Sequence, residues 1–153
     1  MRATPDQVRK VMQQYVQAWA TGNRELFMSL FAADARWADP VGSPEFVGRE
    51  AIGGFWDFAR KDPARTLAPK VEEMRACANE GVLRFTMQVR IPSRNEGLDL
   101  SIIDHFILND AGQIQVARAF WDETTVSIPA GMKPFAPDVS DAYAKDDAAP
   151  ARA

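Results

Sequence analysis

Apolar positions follow a helical period in the first part of the chain and a two-residue period after it. Val8, Met12, Tyr15 and Trp19 recur every three or four residues and predict an amphipathic helix with one inward stripe. Thr4-Pro5-Asp6-Gln7 marks its start, with Thr4 as cap, Pro5 in the first turn and Gln7 closing a capping box; Gly22 ends it. Asn23 can cap a second helix through Leu26, Phe27, Leu30 and Phe31. Residues 35–39 read as a short extended piece with Trp37 and Asp39 on one face, and Pro40 keeps Asp39 out of helical geometry. A third helix is expected over about 49–61, with Ile52, Phe55, Trp56 and Ala59 facing in and Asp62-Pro63 stopping it.

The alternating part begins at residue 66. The stretch 66–79 alternates poorly and predicts a strand with a bulge, whereas 81–91 sets Leu83, Phe85, Met87, Val89 and Ile91 on one face and Arg84, Thr86, Gln88 and Arg90 on the other. In 100–108 the inward candidates are Leu100, Ile102, Asp104, Phe106 and Leu108. Asn109-Asp110-Ala111-Gly112 is a turn signal and 113–123 alternates again, so a hairpin is expected. Centred on Asp110-Ala111, that turn sets Asp104 opposite Ala117, Ile102 opposite Ala119 and Leu100 opposite Trp121. The order predicts an α+β fold, with three N-terminal helices packed on a curved, mostly antiparallel sheet around a cone-shaped pocket. Composition shifts near Pro129 toward Pro, Ala and Asp, so residues 1–128 are expected to form one domain and 129–153 a mobile or loosely docked tail.

Asp104 is the anomaly in this pattern, a carboxyl among four large apolar residues on one strand face. If that face lines the core, burial disfavours the charged form, and a neutral carboxyl can donate a hydrogen bond as an ionised one cannot. The strand alone leaves a second reading open, an aspartate paired with an Arg or capping a backbone amide. The small residues expected across from it leave room, which a close-packed core does not normally do; an apolar pocket with an acid in its floor follows. Tyr15 and Asp39 also leave alternatives open: a core tyrosine with its hydroxyl at the rim, and a structural Asp-Pro turn.

Composition narrows the classes. With 153 residues, 46% hydrophobic, 25% charged and a net charge of −3, the chain has no electrostatic case for nucleic acid or an anionic membrane. It has no run long enough for a membrane span and no signal-peptide pattern at its start. One cysteine, Cys77, fits a reducing compartment, and with one histidine, His105, it argues against a zinc site. A soluble cytoplasmic domain without a structural metal is the resulting expectation.

Four pieces together resemble the ketosteroid isomerases, within the wider family similar to nuclear transport factor: residues 11–18 around Tyr15, Leu30-Phe31-Ala32-Ala33-Asp34-Ala35, Asp39-Pro40-Val41-Gly42-Ser43, and Ile103-Asp104-His105-Phe106. The likeness runs over roughly residues 5–128. It implies a homodimer that moves a C=C bond of a 3-ketosteroid from β,γ to α,β conjugation, without cofactor. It also implies Asp39 as general base, Tyr15 and Asp104 as donors to the oxyanion, and Trp121 against the steroid, with Phe55, Trp56 and Phe85 as further wall candidates. The resemblance further implies that Asp104 is held protonated in that oxyanion hole.

The chain departs from some members in having Phe31 and Trp56 where supporting tyrosines look to stand; its only other tyrosine is Tyr143. Two other readings remain open at this point. One is another enzyme of the same fold, a cyclase or hydratase acting on a different carbonyl compound. The other is a non-catalytic small-molecule-binding or dimerisation module.

Overall fold

A computed structural model describes residues 1–135. Helix α1 (Pro5–Thr21) begins as its sequence predicts: the Thr4 side chain accepts from Gln7 N–H, the Gln7 side chain accepts from Thr4 N–H, and Gly22 closes the helix at φ 69°. Asn23 caps α2 (Arg24–Ser29). That helix is shorter than its apolar pattern suggests, because β1 (Phe31–Ala38) already starts at Phe31. The reason is pairing: Leu30 O accepts from Ile114 N–H, and Phe31 lies opposite Ile114 on a distant strand, so tertiary hydrogen bonds draw the chain out of the helix. Strand β2 (Phe46–Val47) and helix α3 (Arg49–Ala59) follow, then β3 (Thr66–Cys77), β4 (Glu80–Ile91), β5 (Glu96–Leu108), β6 (Ile114–Phe120) and β7 (Val126–Ser127).

The architecture is α+β, with helices against a curved, open mixed sheet of order β2-β1-β6-β5-β4-β3; β7 pairs with β5. Among the described strands β1 pairs parallel with β6, with Trp37 opposite Ala117 and Ala38 opposite Arg118. β3 carries the expected irregularity, between Val71 and Glu73.

Register corrects one expectation. Asp104 lies opposite Ala119 and Phe106 opposite Ala117, two positions from the predicted pairing. One position comes from a five-residue connection, in which Leu108 faces Ile114 and Asn109 N–H bonds to Gln113 O. The other comes from a bulge between Ile107 and Leu108 and their partners. A shift of two preserves the faces, so Asp104 still points inward.

The inward faces meet in a core rich in aromatic rings. Phe27 sits at its centre, with ring centroids 5.0 Å from Phe31, 5.3 Å from Trp19 and 4.5 Å from Trp56. Among the described residues no helix is long and apolar enough to cross a membrane. Residues 129–135 run back onto the sheet: Gly97 N–H bonds to Lys133 O, Lys133 N–H bonds to Asn95 O, and Phe135 is buried. The rest of the expected tail, 136–153, lies outside the described residues.

Helix α1 crosses the start of β4 at Gly81, where a Cβ would stand 2.6 Å from Val8 Cγ1 and 2.8 Å from Met12 Sδ. Gly81→Val should therefore force α1 off the sheet and destabilise the chain by about 1–3 kcal/mol. Urea unfolding checks this, and an unchanged midpoint would mean that the crossing is looser than its distances.

Candidate active site

Three pieces of backbone bring the predicted residues together. α1 supplies Tyr15 from its inward stripe, the end of β1 supplies Asp39, and β5 supplies Asp104. The Asp39-Pro40 bond is cis, and the loop after it is tied to β6 by a 2.9 Å bond from Val41 N–H to Ala119 O. Ala119 is also the residue opposite Asp104, so β6 acts as the spacer between the two acids. Its small inward residue there, Ala119, lines the space between them.

That space is a cavity of about 680 Å³, within the range of about 300–1,000 Å³ for small-molecule pockets. Tyr15, Asp39, Asp104, Phe55, Phe85 and Trp121 all line it. Trp56 does not. It lies behind the wall, 4.4 Å from the Trp19 ring and 4.5 Å from the Phe27 ring, because successive helical residues point about 100° apart and Phe55 takes the cavity side.

Asp104 is 3% exposed, and its Oδ2 is buried without a hydrogen-bond partner. Burial holds its pKa well above the ordinary carboxylate range and the charge of Asp39 adds to the rise, while a hydrogen bond with Tyr15 opposes them more weakly. Among the described residues neither a cation nor a backbone amide figures among these influences, which is the arrangement of neither the arginine pair nor the backbone cap left open by the sequence. The Tyr15 phenol is likewise pushed well above its usual value, first by burial and then by the neighbouring carboxylates. It stays protonated. Its ring is held by Phe106 at 5.0 Å and Phe27 at 6.0 Å, and neither Phe31 nor Trp56 offers it a hydroxyl.

Asp39 is nearly as buried, at 9% exposure, and has a specific donor: Trp121 Nε1–H bonds to its Oδ1 at 2.6 Å. Sequence alternation places Trp121 on the cavity side but has no means of pairing it with Asp39, 82 positions away. Two more lining residues had no signal at all. Arg65 sits in an irregular connection between α3 and β3, and Phe135 lies within the segment expected to be a tail. Among the described residues no group of three or more His, Cys, Asp or Glu side chains converges as a metal site requires.

Chemically, this is an apolar-lined cavity with the Asp39 carboxyl group on one wall and two groups of raised pKa, Tyr15 and Asp104, close by. Such a set can remove a proton from carbon and stabilise the oxyanion that results. A family model described as a SnoaL-like domain matches residues 12–117. A steroid Delta-isomerase of Nocardioides simplex is 30% identical over 115 residues, covering 75% of this chain and 89% of that protein.

A protonated Asp104 has a thermodynamic signature. The folded chain keeps a proton that the unfolded chain releases above the ordinary Asp pKa of about 3.9. The folded state therefore binds more protons, and this group's contribution to stability falls as pH rises toward its folded pKa. Asp104→Asn lacks the linkage. Relative to wild type it should gain up to about 1.4 kcal/mol of stability per pH unit above about pH 4. Urea unfolding of both proteins from about pH 5 to pH 8 measures the difference; a constant offset would mean that Asp104 is ionised in the fold.

Proposed function

The chain belongs to the SnoaL-like domain family, and on that footing we propose that it is a steroid delta-isomerase, moving a C=C bond of a 3-ketosteroid from β,γ to α,β conjugation. The observation that carries this reading is the meeting of Tyr15, Asp39 and Asp104 on one apolar cavity, with Asp104 raised in pKa and its Oδ2 unpartnered. The Nocardioides simplex relative bears the name of the same reaction, which supports it further.

The roles follow from protonation states. Asp39, oriented by the Trp121 indole N–H, takes the proton from the carbon between the ketone and the double bond. The electron pair moves into a dienolate, and charge accumulates on the former carbonyl oxygen. Tyr15 O–H and the protonated Asp104 carboxyl donate to that oxygen, where preorganised donors in a water-poor site are worth far more than in solution. Asp39 then returns the proton to the γ-carbon and the conjugated ketone leaves. Protons and electrons balance within one substrate. Phe55, Phe85 and Trp121 supply flat apolar walls for a fused-ring skeleton. A homodimer, implied by the resemblance, belongs to the same proposal.

Incubation with a β,γ-unsaturated 3-ketosteroid should produce conjugated-enone absorbance; tight binding of the steroid without that absorbance would turn the reading to another enzyme of this family. Asp39→Asn should retain steroid binding and lose about 10²–10⁴-fold in kcat, since the amide fills the same space but takes no proton. Activity within a few-fold of wild type would remove Asp39 from the mechanism. For Tyr15→Phe, stopped-flow or steady-state rates should fall by about 10²–10³-fold, the loss expected for one oxyanion donor, with little change in KM. An unaltered rate would return Tyr15 to a packing role.

A further inference from the structure

The cavity has a second polar end that the proton transfer does not use. Arg65 lines it together with Leu67, Val89, Leu98 and Phe135. Strand register fixes the location. Leu67 pairs with Val89, and Val89 pairs with Leu98. Leu98 stands six residues before Asp104 on β5, which is about 20 Å at the usual strand rise. Arg65 is therefore at the far end of the cavity from the two acids.

Its surroundings are incomplete. Nη1 donates to Ala59 O at 3.0 Å, and the guanidinium lies 5.9 Å from the Phe135 ring centroid, but Nε is buried with no hydrogen-bond partner. Among the described residues no acid pairs with Arg65, although the other arginines at this end have partners: Arg90 with Asp99, and Arg94 with Glu96. Asp62, three positions earlier, is turned instead to Ala64 N–H and Arg94. Asp122 and Glu123 also line the cavity, but from the β7 side; Asp122 caps Thr124, and Glu123 is exposed. A guanidinium set among Leu, Val and Phe, with no anion among the described residues, is an arrangement that a ligand would complete, and its planar fork matches a carboxylate.

We infer that Arg65 receives a carboxylate carried by the substrate at the end remote from its ketone, so that the ligand class is an apolar fused-ring ketone with an acidic side chain. This rests on the isomerase reading above, and a binding measurement separates the two. Quenching of tryptophan fluorescence, with Trp19, Trp37 and Trp121 in the cavity wall, reports affinity for a conjugated 3-ketosteroid bearing a side-chain carboxylate and for its methyl ester. Wild type should bind the acid about 10–100-fold more tightly than the ester, the range for one charged hydrogen-bonded pair. Arg65→Leu should erase that preference by weakening the acid alone, and Arg65→Lys should restore part of it. If the Leu variant does not fold, the wild-type comparison of acid with ester decides alone. Equal wild-type affinities, or equal losses for both ligands in Arg65→Leu, overturn the inference and leave the isomerase reading standing. Failure of both ligands to bind overturns both.

Discussion

A carboxyl group removed from water and given no counter-charge is the constraint around which this molecule is arranged. Asp104 occupies a position where alternation calls for an apolar residue, and the sheet buries it as though it were one. Isolated burial of an ionised carboxylate is so unfavourable that the group keeps its proton instead. The fold then has to supply a cavity rather than a packed core at this point. It does so by placing Ala119 on β6 and holding Tyr15 from α1 over the gap. A second acid, Asp39, sits at the cavity edge and accepts an indole N–H. Two like groups in one cavity thus have unlike surroundings.

The division of labour among the elements is correspondingly simple. The helices interlock with one another and with β1 through aromatic rings, and the two buried acids stand where β1, β6 and β5 lie side by side, under Tyr15 of α1. Because Asp39 and Asp104 are fixed on neighbouring parts of one sheet, with Ala119 between them, their separation is set by backbone pairing and not by side-chain freedom. That is a rigid way to hold a proton-transfer site.

Much of this is legible in the residues, and the exceptions have physical causes. The capping box at Thr4 and Gln7, the inward stripe through Tyr15 and the alternation through Asp104 are local patterns, and local patterns survive folding unless something distant competes. Where something distant does compete, sequence fails. The α2 pattern through Phe31 loses to pairing with Ile114, and the hairpin register shifts by a connection length and a bulge that alternation does not encode. Trp56 and Phe55 are indistinguishable by type, and only the rotation of α3 decides which one meets the cavity. Arg65 and Phe135 lie in irregular backbone, so no period announces them.

The parallel pairing of β1 with β6 also governs when the site can exist. β1 is made before its partner, which emerges only after three further long strands have been made. Until then Asp39 has neither the Ala119 tether nor the Trp121 donor, and the cavity lacks one wall. Closing so long a loop is slow relative to forming the helices and the adjacent hairpins. The wall between the two acids therefore waits on β6. A nascent chain cut short before residue 114 would hold Asp39 and Asp104 without the strand that spaces them.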